Sequence, residues 1–233
     1  MLAWSAGLLR VLGAGVIDWG EFGDLVAELL PFLAEPKAGG VADGAHDLAH
    51  LRRVWTNAFR IAAAEGGADR VLAASVVLHD CVSVEKNSPL RSQASRLAAA
   101  RAAEILAGLG WSGGEVEAVR HAIEAHSFSA EIPTETLHAR VLQDADRLDA
   151  IGMIGVARCF YTAGRMGSSL YHPEDPRAEA RPLNDAAYAL DHFRAKLLLL
   201  ADGFQTPTGA AIARERTAAI AGFMAAFEAE IGA

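Results

Sequence analysis

The sequence predicts an all-α protein built as a single-domain helical bundle. Three observations lead there. Hydrophobic residues fill 52% of the 233 positions. Alanine and leucine are prominent among them and long alternating β-branched runs are absent, a composition that favours helices packed on helices. Apolar residues recur at helical spacing between glycine and proline stops. No repeat, low-complexity tract or linker divides positions 1–233, which suffice to bury a substantial core.

Each element follows from local signals. A first helical region covers roughly residues 20–35, with Leu25, Leu29, Leu30, Phe32 and Leu33 as its apolar content, and Gly39-Gly40 closes it. The second runs over about residues 45–64, where Leu51, Val54, Ala58 and Ile61 form a stripe and Gly66-Gly67 ends it. Asp69 caps the third, which carries the apolar run Val71–Leu78 into His79-Asp80. Beyond Pro89 a fourth helix spans 92–109, stopped by Gly110. Ser112-Gly113-Gly114-Glu115 has the form of a capping box and starts a fifth, through about His126. A sixth follows Pro133-Thr134 and contains Val141, Ala145, Leu148 and Ile151. Residues 164–184, with Pro173, Pro176 and Pro182, read as a long loop, a kind of segment that in compact domains serves as a lid or binding element or else is disordered. Two helices, at 185–200 and 207–231, finish the chain.

Charge narrows the function classes. With 29 acidic against 21 basic residues and a net charge of -8, the protein is not expected to coat a nucleic-acid polymer, which requires a concentrated basic surface. A single phosphorylated small molecule remains compatible. The apolar start, residues 1–17, is interrupted by Arg10, follows no basic cluster and gives way to Asp18, Glu21 and Asp24. No later stretch reaches the ~20 apolar residues of a membrane span. A cytoplasmic protein with no membrane association is the expectation, with Cys81 and Cys159 as reduced, buried thiols. Cys81 adjoins Asp80, but hard, oxygen-rich sites seldom need sulfur.

The chemistry concentrates in one order of residues. His50 stands on the apolar stripe of the second helix, His79-Asp80 follows a run that would bury it, and Asp144, Asp146 and Asp149 cluster on the sixth helix. Two imidazoles and two carboxylates make a mixed nitrogen and oxygen set suited to a divalent cation. Taken alone, His50 is more readily a hydrogen-bonded core residue; His46 lies one turn earlier on the same face. Val116, Val119, Ile123 and His126 share one face of the fifth helix, whereas His121 is rotated away. On the sixth helix Asp144 lies with Leu148 and Ile151, and Asp146 with Leu142, Ala150 and Met153, so periodicity does not choose between the two acids. Two buried carboxylates this close are costly without a cation.

These residues resemble the HD-domain superfamily of metal-dependent phosphohydrolases, whose signature is H…HD…D on a helical bundle. The matching runs are His50-Leu51-Arg52-Arg53-Val54, His79-Asp80 and Ala145-Asp146-Arg147-Leu148, within about residues 43–165, with helices 185–231 packing on that core. The resemblance implies His50, His79, Asp80 and Asp146 as ligands of one divalent metal ion (Mn, Mg, Co, Ni or Fe), and Asp144 and Asp149 as supporting or packing groups. Further runs are similar to a small bacterial subgroup that includes nucleoside triphosphate pyrophosphohydrolases: His46-Asp47-x-x-His50, Lys86-Asn87, residues 121–129, Gln143 to Gly155, and Asp191 to Leu198. Related nucleotidases place a Glu three residues after the HD aspartate, where this chain has Ser83.

The resulting expectation is hydrolysis of a phosphorylated small molecule, most economically a nucleotide, by metal-activated water attack on phosphorus. His126, Lys86 and Asp80 form the expected catalytic set, with Lys86 the first choice of phosphate-binding cation and Arg53 the second. His46, Asp144, Arg147, His192 and Lys196 are further candidates for substrate or supporting contacts. A non-catalytic nucleotide sensor that keeps the metal site, and a di-iron oxygenase drawing on His121 and His126, are the alternatives. Association into a homodimer is left open.

Overall fold

In a computed structural model the described residues are 18–33, 48–82, 84, 90–127 and 130–232. Their regular structure is helical, with one isolated β-bridge between Ser169 and Tyr188. The α-helices are α1 (Gly23–Leu29), α2 (Leu48–Glu65), α3 (Arg70–Leu78), α4 (Ala94–Gly108), α5 (Gly113–His126), α6 (Leu137–Asp149), α7 (Gly152–Met166), α8 (Ala189–Ala195) and α9 (Pro207–Glu230). Tight 3-10 turns flank α1 and follow α8. No described helix is long and apolar enough to cross a membrane.

The core is organised around α3 and α6. Asp69 caps α3 by accepting from the Val71 and Leu72 amides at 2.9 and 3.0 Å. Every residue from Val71 to Leu78 is buried, so α3 is apolar all round and threads the interior, as such a helix must. Its end therefore delivers His79 to the inside of the bundle. The capping box at Ser112 and Glu115 forms as expected and starts α5. Helix α6 packs against α2, α3, α5, α7 and α9, burying Val141, Leu142, Ala145 and Leu148.

The expected sixth helix is two helices. Ile151 is extended and Gly152 has φ 74°, a left-handed conformation that ends α6 and starts α7 in a new direction. Gly155 fits the corner because a Cβ there would overlap the Ala150 carbonyl. Apolar spacing carried through 141–151 without a break, which is why the corner is invisible to periodicity. Met153, expected on the Asp146 face, is consequently exposed. The predicted helix over 185–200 is likewise a short α8 followed by a 3-10 turn at Leu197–Gly203.

The segment from Gly167 to Tyr188 is strapped down onto the C-terminal helices. Arg181 donates to both oxygens of buried Asp191 at 2.5 and 2.8 Å, and the Asn184 amide adds a third bond at 2.7 Å. Burial pushes the Asp191 carboxyl up, but these donors outweigh it and hold it below the ordinary aspartate value. Arg177 pairs with Glu228 of α9, and Tyr171 packs edge-on against Phe227.

Asp144 and Arg147 fasten α6 to the start of α9. The fully buried Asp144 carboxylate accepts from the Gln205 and Thr206 amides, both at 2.8 Å, and from Thr206 Oγ1 at 2.7 Å. Arg147 donates to the Gly203 carbonyl. Replacing Asp144 with Ala strands the buried Thr206 amide and takes the acceptor from the part-buried Gln205 amide, and a cost of about 2–3 kcal/mol is expected in urea unfolding. A midpoint equal to wild type would contradict this role for Asp144.

Candidate metal centre

Four helices bring the site together. His50 comes from α2, His79 and Asp80 from the end of α3, His126 from the last turn of α5, and Asp146 and Asp149 from α6. The Nε2 atoms of His50 and His79 lie 3.4 Å apart. Asp146 Oδ1 is 3.5 Å and Asp80 Oδ2 3.9 Å from His50 Nε2, and Asp80 Oδ2 is 3.5 Å from His79 Nε2. His50, His79 and Asp146 form one group whose ligand atoms lie within 4.8 Å of one another, and His79, Asp80 and His126 form a second that shares His79. The three imidazoles are buried, while the Asp80 and Asp146 side chains are 45% and 30% exposed, so the carboxylates face the solvent side of the group.

Each imidazole is gripped on its Nδ1 edge. His50 Nδ1 meets Asp149 Oδ2 at 2.7 Å, His79 Nδ1 meets the Val76 carbonyl at 2.7 Å, and His126 Nδ1 meets the Ile123 carbonyl at 2.5 Å. All three partners are acceptors, so each ring in its neutral form carries its proton on Nδ1 and turns an Nε2 lone pair to the site. Two such lone pairs 3.4 Å apart in a buried site repel unless a cation sits between them. The donor set therefore fits a divalent metal: imidazole Nε2 atoms with their far edges fixed, plus two carboxylates.

Electrostatics agree with that arrangement. Burial works against the His79 proton, but the Asp80 and Asp146 carboxylates outweigh it and raise the pKa, the response of a cation site lined with acids. His126 is pushed the other way by burial and by the neighbouring His79, which favours the neutral ring. Asp149 is 1% exposed; burial raises its carboxyl, yet hydrogen bonds from His50 and Arg53 hold it far below the ordinary value. Cys81 is a protonated thiol, its pKa pushed up to about 11 chiefly by burial, and its sulfur is directed to the Ala98 carbonyl at 3.5 Å.

The structure gathers His50, His79, Asp80, His126 and Asp146 in one place and leaves other candidates elsewhere. Arg53 faces Asp149, with its Nε bonded to Oδ1 and its Nη2 3.0 Å from Oδ2. Asp144 and Arg147 are committed to the turn at 203–206 described above. His192 pairs with Asp185 at 3.2 Å, and Lys196 is exposed at the end of α8. His121 accepts from the Glu135 amide at 3.2 Å, so it does not join His126 as a ligand. His46, Lys86 and Ser83 lie outside the described residues.

One participant escapes the sequence reading. Arg158 of α7 donates from Nη1 to Asp149 Oδ2 at 2.7 Å and to the Asp149 carbonyl at 3.2 Å. On an uninterrupted helix, residues nine apart sit about half a turn round and roughly 13 Å along. Only the corner at Ile151-Gly152 folds Arg158 back onto Asp149. The Gly152 and Gly155 pair was the available signal.

Comparison with known proteins agrees with the geometry. Residues 47–151 match the family described as HD domain. The uncharacterized protein YpgQ of Bacillus subtilis is 33% identical over 175 residues, 73% of this chain and 77% of that protein. The chain belongs to the HD-domain superfamily. Among solved structures, YpgQ in complex with ADP superposes with a TM-score of 0.62 at 30% identity, covering 80% of this chain and 90% of that one. An HD-superfamily hydrolase from Bacillus thuringiensis gives 0.66 at 27% identity, covering 90% and 96%.

The tautomer assignment is open to direct test. Long-range nitrogen-proton spectra of metal-free protein at alkaline pH should show His50, His79 and His126 protonated on Nδ1, against the usual Nε2 preference of free imidazole. Nε2-protonated rings would dismantle the proposed donor set.

Proposed function

We propose that this HD-domain protein is a divalent-metal-dependent phosphohydrolase of nucleotides, with a nucleoside triphosphate releasing pyrophosphate as the finer reading. The convergence of bare imidazole Nε2 atoms and two carboxylates at one half-open point carries the proposal. His50, His79, Asp80 and Asp146 would hold the ion. When bound, it supplies Lewis acidity toward a phosphoryl oxygen and lowers the pKa of a water. Nucleotide as substrate is supported by the ADP complex of YpgQ, a relative at 30% identity.

The chain's own residues then divide the work. Asp149 fixes the ring of His50, and the buried α3 backbone fixes that of His79, so the ligands need no reorganisation on binding. His126, kept neutral by burial, accepts a proton at Nε2 from the attacking water and returns it to the leaving oxygen. Asp80, on the solvent side, orients that water. The buried imidazole floor keeps bulk water off the reacting phosphorus.

Metal-stripped protein resupplied with Mn, Mg, Co or Ni and offered nucleoside mono-, di- and triphosphates should turn over at least one, with phosphate and pyrophosphate measured separately. His79→Ala and Asp80→Ala should fall to background with unchanged helical circular dichroism. Nucleotide binding without turnover in every metal would shift the assignment to a sensor. Separately, Asp149→Asn should weaken Mn binding about 10–100-fold by calorimetry; unchanged affinity would deny Asp149 its part in orienting His50.

A further inference from the structure

We propose that Gln143 is a positioning residue, which fastens the last turn of α5 to α6 and so sets His126 against Asp146. The proposal rests on the reading of His126 as the proton-transfer group of a nucleotide phosphohydrolase.

The three imidazoles are not secured alike. His50 is gripped by Asp149 of a different helix. His79 is gripped by the Val76 carbonyl of α3, whose residues from Val71 to Leu78 are all buried. The Nδ1 partner of His126 is the Ile123 carbonyl, in the same turn of the same helix. That bond orients the ring relative to α5 and does nothing to place the turn itself. His126 is the last residue of α5, and Ser127 beyond it is extended. The final carbonyls of a helix have no intrahelical donor, so such an end is held by groups that reach it from outside.

Gln143 is the group that reaches this one. Its Nε2 donates to the Ala125 carbonyl at 2.8 Å, one residue before His126. Gln143 itself stands three residues before Asp146 on α6 and is 6% exposed. A single buried bond thus joins the neighbour of His126 to the turn that carries Asp146. The ring placed this way belongs to the site, because the ligand atoms of His126, His79 and Asp80 lie within 4.8 Å of one another.

Packing alone would not fix that placement. Helix α5 lies against α6, and Ala122, Ala125, Ala139 and Ala145 of the two helices are fully buried. Burial of methyl groups is non-directional and tolerates sliding along the helix axis. A hydrogen bond from a side-chain amide to one particular carbonyl does not. A neutral amide also does this without adding charge beside buried imidazoles, whose protonation responds to nearby charge. On the other side of α6 a second amide acts alike: Asn57 of α2 donates from Nδ2 to the Ala145 carbonyl at 3.1 Å, immediately before Asp146.

The test compares full-length wild type with Gln143→Met and Gln143→Asn. Methionine keeps the length of the side chain without a donor, whereas asparagine keeps the amide but falls one methylene short. Either variant that retains the helical circular dichroism of wild type suffices. In metal-free protein, nitrogen-proton spectra should show the His126 ring resonances shifted or split, with those of His50 at their wild-type positions. With Mn and a nucleotide that wild type turns over, kcat should fall about 10–100-fold, as expected for an acid-base group displaced by about 1 Å. KM and Mn affinity should stay within about twofold of wild type. Unmoved His126 resonances in a folded variant would overturn the proposal. So would His50 resonances that move as far as those of His126 together with weaker Mn binding, which would make Gln143 a general packing group. A wild type inert toward every nucleotide removes the hydrolase reading, and the ring spectra then decide alone whether Gln143 places His126. An active wild type whose folded variants keep full kcat removes this inference and leaves that reading standing.

Discussion

The hydrogen bond between Asp149 and the Nδ1 edge of His50 joins the packing of the bundle to the chemistry at its centre. A carboxylate as buried as Asp149 is tolerable only because Arg53, Arg158 and His50 all meet it. Those partners come from α2 and α7, so the bond that orients one imidazole also ties three helices together. Remove the carboxylate and His50 loses its tautomer, while two guanidinium groups lose their anchor.

Helix α6 carries this logic along its length. Asp144 turns outward to the amides of Gln205 and Thr206, Asp146 turns to the imidazoles, and Asp149 turns to His50 and the arginines. Three acids within six residues thus serve three separate environments, one of them a helix start and two of them a site. Helix rotation separates their directions, and burial makes each commitment costly to leave unfilled. That is why the acid-rich run tolerates its own charge density.

Much of this was legible in the residues. Asp69 and the Ser112-Glu115 box announced two helix starts, the apolar run Val71–Leu78 announced that His79 would arrive buried, and the face shared with Ile123 put His126 inside and His121 outside. The choice between Asp144 and Asp146 was not readable from spacing, because each shares a face with apolar neighbours and only the position of α9 separates them. The corner at Ile151-Gly152 was hidden for a different reason: it depends on a left-handed glycine and a close approach to the Ala150 carbonyl, neither of which alters the apolar rhythm. Arg158 stayed unseen as a consequence, since it meets Asp149 only across that corner.

Pulsed electron paramagnetic resonance on Mn-loaded protein interrogates the centre most directly. Hyperfine coupling to two imidazole nitrogens is expected, falling to one in His50→Ala and in His79→Ala. A spectrum without nitrogen coupling, or one indifferent to both substitutions, would contradict the convergence of these side chains on a single ion.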